Sequence, residues 1–197
     1  MEPRLPPGLT PRLNQFLVLL ERWNRTHALT ALPLASRKEE LLVDAAALLP
    51  FLADLPAGAR VVDLGTGMGT PAVVLALARP DLEVLGVDAS GKKLAFVRQV
   101  AMELPVPNLK VVHGRLEDLP PLDADWGTAK ALGTLGALAG WWARHGKPGR
   151  PFYALKGPDW TEETLPAGWT AEPHPYALPT RGQRVVVGLR FAPEAEA

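Results

Sequence analysis

Apolar residues follow two different rhythms along the chain, and the change from one to the other falls near residue 60. Before it, Leu13, Phe16, Leu17 and Leu20 recur at helical spacing, as do Leu41, Leu42, Ala45, Leu48 and Leu49, so residues 10–54 read as helical. Thr10-Pro11 supplies a start signal of capping hydroxyl and first-turn proline. The second helix runs from about 36 to 52, and Pro56-Ala57-Gly58 closes this preface. Beyond it, short apolar runs alternate with amphipathic stretches. The runs predict strands at 60–64, 83–87, 110–113, 125–129, 152–156, 170–176 and 184–191, with helices at about 71–78, 90–104 and 133–145 between them.

Alternating strands and helices specify an α/β fold with a mostly parallel, seven-stranded sheet. The last two strands are joined by too short a link for a parallel crossover, so they form an antiparallel hairpin at the sheet's end. The expected organisation is an N-terminal helical segment, 1–56, packed on a Rossmann-like domain, 57–197. At 197 residues and 47% hydrophobic, the chain suffices for one domain with an appendage.

Composition narrows the chemistry. The chain has no cysteine, which removes disulfides, thiolate nucleophiles and cysteine zinc sites and favours a reducing cytoplasm. No apolar run approaches the ~18 residues of a membrane span, and the four histidines are scattered without metal-ligand spacing, so no membrane and no metal is expected. Lys+Arg and Asp+Glu are equal at 21 each, yet the balance hides a segregation. From Trp126 to Pro158 there is no acidic residue, whereas Lys130, Arg144, Lys147, Arg150 and Lys156 are basic. Acidic residues gather at Glu117–Asp125, at Asp159–Glu163 and at Glu194 and Glu196. The acid-free stretch is a candidate face for phosphates.

Asp63-Leu64-Gly65-Thr66-Gly67-Met68-Gly69-Thr70 joins a predicted strand to a predicted helix, the context in which a glycine loop lets a ligand approach the backbone. The glycines do not fit the dinucleotide pattern, since Thr70 stands where its last glycine belongs. Asp63 at the strand's end would repel a pyrophosphate but suits a cationic amino-acid moiety. S-adenosylmethionine, with an ammonium, a sulfonium and no phosphate, fits better. Asp88 ends the next strand roughly 20 residues after the glycines, where ribose-binding carboxylates stand. His113 to Asp118, at the third strand's end, are placed to contact adenine.

With those residues in view, the chain resembles the RsmG (GidB) family of bacterial small-subunit ribosomal RNA methyltransferases, which transfer a methyl group to guanine N7. The resemblance rests on Glu21-Arg-Trp-Asn24 with Leu29-Thr30, the glycine loop through Pro71, Ser90-Gly-Lys-Lys93, Phe96-Val-Arg-Gln-Val100, Arg115-Leu-Glu117, Phe152-Tyr-Ala-Leu-Lys-Gly157 and Gln183-Arg-Val-Val-Val187. It implies the class I methyltransferase fold, a ribosomal RNA or small-subunit partner, and donor contacts at Gly65, Thr70, Ala89 and Ser90 after Asp88, Leu116 and Glu117. Asp63, Thr66, Gly67, Gly69 and Lys130 complete the expected donor site. It also implies basic substrate-side positions at Lys130 and Lys156, the expected catalytic pair, with Arg184 as a further substrate candidate. The chain departs from the family pattern at Ala28, at Glu40-Leu41, at Lys130 where arginine is usual, and at Val185.

Guanine N7 carries a free lone pair and no proton, so its methylation needs alignment and no general base. A small-molecule methyltransferase of the same fold, or a donor-binding ribosome factor without catalysis, fits the same glycine loop. Trp23 and Trp141 are expected in the core, with base stacking as the alternative for them and for Trp142. A cytoplasmic monomer is expected.

Overall fold

The computed structural model describes residues 2–192; the acidic tail positions Glu194 and Glu196 lie outside them. Seven strands form one sheet in the order β3-β2-β1-β4-β5-β7-β6, comprising β1 (Arg60–Leu64), β2 (Glu83–Asp88), β3 (Leu109–His113), β4 (Trp126–Lys130), β5 (Phe152–Lys156), β6 (Trp169–Leu178) and β7 (Gly182–Phe191). The pairs β3-β2-β1-β4-β5 are parallel, and β7 runs antiparallel between β5 and β6. The expected sheet and hairpin are both present. The hairpin strands are longer than patterning indicated: the backbone ladder continues through Trp169, Ala177 and Leu178 in β6 and through Gly182 and Gln183 in β7.

Within β1 the alternation of side chains divides the core in two. Val61 joins the face covered by the N-terminal helices, α4 (Ala72–Ala78) and α5 (Gly91–Glu103), while Val62 and Leu64 join the face covered by α6 (Leu135–His145). Both faces of a parallel sheet must be covered in this way. On the first face α1 (Thr10–His27) drives Leu13, Phe16 and Leu20 into the core. Phe16 and Trp23 pack on Phe96 with ring centroids 5.8 and 5.6 Å apart. Asn24 then bridges the chain beyond the helix, accepting from the Thr30 N–H at 2.8 Å and donating to the Thr30 carbonyl at 3.0 Å. The Trp-Asn and Leu-Thr motif therefore anchors the preface on α5, and Trp23 packs against the core as expected.

Two helical expectations need correction. Thr10 does not cap α1; a 3-10 turn at Pro7–Leu9 runs straight into the helix, and Thr10 is already helical. The second helix is not continuous from 36 to 52. Instead α2 (Leu34–Arg37) passes into a π-helical stretch at Lys38–Val43, returns to α geometry in α3 (Asp44–Ala46), and ends in a 3-10 turn at Leu49–Leu52. Pro50 has no N–H to continue an α-helix. π-helical turns recur at functional sites, and this one delivers Glu39, Glu40 and Asp44 toward the sheet. No helix among the described residues is long and apolar enough to cross a membrane.

Candidate active site

Strand β1 ends in a buried carboxylate. Asp63 is fully enclosed, and its Oδ2 accepts from the Thr66 hydroxyl at 2.6 Å and from the Ala72 N–H, at the start of α4, at 3.0 Å. The glycine loop is thereby closed from below. Asp88 closes it from the side, taking the Gly67 N–H at 2.9 Å and the Ser90 N–H at 2.8 Å. Ser90 caps α5 by accepting from the Lys93 N–H. The loop needs its glycines, since Gly65, Gly67 and Gly69 have φ of 68°, 59° and 97°, in the region that disfavours side chains. A Cβ on Gly65 would also lie 2.4 Å from Leu132 Cδ1.

Above the loop is a cleft of about 230 Å³, lined by Gly65, Asp88, Ala89, Leu116 and Glu117 together with Val87, Gly114, Arg115, Leu132 and Trp141. It lies at the carboxyl ends of β1, β2 and β3, where open α/β sheets bind ligands. Five of the expected donor residues therefore meet on one surface. Asp63, Thr66, Gly67, Gly69, Thr70 and Ser90 do not line it; Asp63, Thr66 and Ser90 build and fasten the loop behind it. Patterning placed Trp141 in the core, whereas its indole N–H donates to Glu117 Oε1 at 3.0 Å at the cleft wall. The signal was available. Leu135, Leu138, Ala139 and Trp142 form the buried stripe of α6, and Trp141 stands one position off it.

The Leu116 side of the cleft is held by a buried histidine. His145 Nε2 donates to the Leu116 carbonyl at 2.8 Å, and burial lowers the imidazole pKa, favouring the neutral ring. At Asp63 burial pushes the carboxyl pKa up to about 7, against the pull of the Thr66 and Ala72 hydrogen bonds. Its second oxygen, Oδ1, is enclosed without a hydrogen-bond partner.

A second, polar cleft of about 190 Å³ is lined by Glu40, Asp44, Lys130, Ala131, Leu178, Arg181 and Arg184. Asp44 is its hub. This buried carboxylate accepts from Tyr176 Oη at 2.5 Å, pairs with Lys130 Nζ at 2.8 Å and faces Arg184 Nη2 at 3.8 Å. Burial and the adjacent carboxylate keep the Tyr176 phenol protonated. Lys130 also donates to the Glu40 carbonyl, and Glu40 pairs with Arg181 at 3.2 Å. Lys130 and Arg184 thus meet here and not in the first cleft. The two clefts share the turn after β4, where Lys130 and Ala131 line one and Leu132 the other; Ala131 holds φ of 52° to make that reversal. Lys156 lines neither cleft: Glu163 pairs with it at 2.8 Å and the Gly133 carbonyl accepts from it at 2.6 Å. Arg181 and Tyr176 escaped the sequence reading because no motif marks them, and Asp44, in the family-like segment Leu42-Val-Asp44 that follows the Glu40-Leu41 departure, was given no site role; only the fold brings the preface and the hairpin together.

Residues 10–170 match the family model for GidB, the rRNA small subunit methyltransferase G. The chain belongs to this family. Curated relatives agree: it is 38% identical over 167 residues to the ribosomal RNA small subunit methyltransferase G of Bordetella avium, covering 82% of this chain and 75% of that one. It is 40% identical over 185 residues to the protein of the same name from Xanthomonas axonopodis pv. citri, covering 90% and 85%. Solved structures carry the same fold at low identity. A putative O-methyltransferase from Klebsiella pneumoniae superposes with a TM-score of 0.62 at 16% identity, over 92% of this chain and 90% of that one. A SAM-dependent methyltransferase from Aquifex aeolicus gives 0.57 at 19% identity, over 78% and 92%. The chain is a methyltransferase of ribosomal RNA that takes its methyl group from S-adenosylmethionine.

The sign of the Asp63 shift fixes a pH dependence. A carboxyl protonated in the folded chain but ionised in the unfolded one loses stability as pH rises. Relative to Asp63→Asn, the parent is expected to lose on the order of 1.4 kcal/mol per pH unit between its ordinary 3.8 and about 7, then to level off. Denaturant unfolding of both proteins across that range checks it, and parallel stability curves would contradict it.

Proposed function

We propose that this protein methylates guanine N7 in small-subunit ribosomal RNA, with the donor in the cleft over the glycine loop and the acceptor base approaching from the side of the polar cleft. The observation that carries this reading is the juxtaposition of the two clefts across the turn at Lys130–Leu132. Asp88 would hold the donor's ribose hydroxyls, and Leu116 with Ala89 would flank its adenine. Asp63, enclosed behind the loop, would act on the donor's cationic end through the loop backbone that it holds at Thr66 and Ala72. When bound, S-adenosylmethionine supplies an electrophilic methyl group: the N7 lone pair forms the new bond to carbon as the carbon–sulfur pair returns to sulfur.

The protein's task is then to place two groups in line and to exclude competing charge. Lys130 and Arg184 line the polar cleft and would be available to guanine O6 or a phosphate; Asp44 holds both and offsets their charge. Lys156, fastened to Glu163, would steady the turn at Gly133 from behind. The preface, 1–56, supplies Asp44 and Glu40, while the domain 57–197 supplies the donor cleft. Both clefts are built within one chain, which supports action as a monomer, and a ribosomal substrate supports a cytoplasmic location.

Mass-spectrometric mapping of modified nucleosides in ribosomal RNA from cells with and without this protein is the direct test. One 7-methylguanosine that disappears with the protein is expected, and an unchanged profile overturns the reading. Asp88→Ala is expected to weaken donor binding by ~1–3 kcal/mol, losing the ribose acceptor and the Gly67 contact together; equal affinity by calorimetry would remove Asp88 from the site. Lys130→Ala is expected to lower turnover on RNA by ~10-fold or more and Lys130→Arg to retain it, because either cation can hold the acceptor while alanine cannot. Equal turnover in all three would leave Lys130 as a counter-ion of Asp44 alone.

A further inference from the structure

At the edge of the sheet opposite both clefts lies a third concavity. Strand β5 begins there, about 13 Å from its other end at the usual rise per residue. The walls are Trp142, Trp169 and Phe191, and the rim is the loop carrying Lys147 and Arg150, enclosing about 280 Å³. No carboxylate lines it. Lys147 and Arg150 are about half exposed and share one carboxylate, Asp125, at 2.8 and 3.8 Å, which leaves positive charge in excess. With Arg144 and Lys156, they are the cations of the acid-free stretch that line neither cleft of the methyl-transfer site.

The aromatic wall is built, not incidental. Phe191 is 48% exposed, yet its ring is fixed against Trp169, with centroids 5.5 Å apart. Gly168, at φ of 79°, leaves room for it, since a Cβ there would lie 2.8 Å from Phe191 Cε2. The Ala192 N–H donates to the Gly168 carbonyl at 2.7 Å, tying the two strand ends. Across the cleft the Trp142 indole N–H donates to the Arg150 carbonyl at 2.9 Å and fixes the basic loop. A rigid aromatic surface facing two adjacent cations is complementary to an aromatic base joined to phosphate. Stacking platforms beside cations are how unpaired nucleic acid is gripped without reading its sequence.

We propose that this cleft is a second RNA-binding site, which takes one unpaired nucleotide of the ribosomal RNA substrate, its base against Trp169 and Phe191 and its phosphate at Lys147 and Arg150. The proposal rests on the reading that the substrate is RNA. It gives the enzyme a hold on RNA remote from the methylated base, one that sets affinity and leaves the chemical step alone.

Phe191→Ala in the full chain, with folding confirmed by circular dichroism, is the central test. Binding of a fluorescein-labelled, unstructured RNA oligonucleotide is expected to weaken ~10-fold, as for loss of one stacked base. The KM for ribosomal RNA should rise in step while kcat and donor affinity stay unchanged. Lys147→Ala combined with Arg150→Ala should reduce the log–log salt slope of oligonucleotide binding by about 1 to 2. Photocrosslinks from a thiouridine-bearing oligonucleotide should map to the peptides carrying Trp169 and Phe191. Unaltered oligonucleotide affinity in Phe191→Ala overturns the proposal, as do crosslinks confined to the donor side. A defect seen only with the assembled subunit and not with naked RNA also overturns it, making a ribosomal protein the occupant. If the parent methylates no RNA, the proposed activity fails, yet oligonucleotide binding still decides this site.

Discussion

The site depends first on the closure of one loop by two carboxylates. Asp63 joins the end of β1 to the start of α4 through Thr66 and Ala72, and Asp88 joins the same loop to β2 and α5 through Gly67 and Ser90. Without them a loop with three residues at positive φ would sample many shapes. With them its upper surface is set before any ligand arrives, so less ordering remains to be done on binding. Burial of Asp63 opposes this closure, because its charge is removed from water. The compensation lies in what it organises: the floor of a cleft whose other walls come from the ends of β2, β3 and β4.

The N-terminal segment has a corresponding role at the neighbouring cleft. Its apolar face covers one side of the sheet, and the same packing carries Asp44 to Lys130, Tyr176 and Arg184. A buried carboxylate is tolerated only when paired and hydrogen-bonded, and here the partners come from β4, β6 and β7, elements far apart in sequence. Packing and charge thus fix the preface, through the Trp23–Phe96 contact to α5 and through the Asp44 hub to the sheet.

Much of this architecture is legible in the sequence because it repeats local rules. Short apolar runs mark all seven strands, the short link marks the hairpin, and the glycine loop between strand and helix marks the cleft above it, along with Asp88, Leu116 and Glu117. What escapes is of another kind. Pro50 signals a break in the second helix, but nothing local signals the π-helical turn before it. Trp141 and Trp142 are neighbours in sequence, and only the phase of α6 sends one to the cleft and the other to the core. Asp44 reads as an ordinary acid on a helix. Its meaning comes from Lys130, Tyr176 and Arg184, whose approach is a property of sheet order. Lys130 and Lys156 were read alike as basic rim positions, and their partners separate them: Lys130 faces the polar cleft, while Lys156 is fastened to Glu163 beneath the following turn.

The pairing of these cations has a chemical logic. Methyl transfer to guanine N7 moves a positive charge from sulfur toward the base without creating an anion, so an oxyanion hole would have nothing to stabilise. Unpaired ammonium and guanidinium groups beside that path would oppose the migrating charge, the more so in a partly desolvated cleft. In the proposed reaction, holding Lys130 and Arg184 against Asp44 would retain their hydrogen-bond donors for an acceptor base or phosphate while offsetting part of their field. The same requirement separates tasks across the molecule: exposed, incompletely neutralised cations suited to phosphates stand at the opposite edge of the sheet, beside Trp169 and Phe191, where their charge can attract RNA without opposing the reaction.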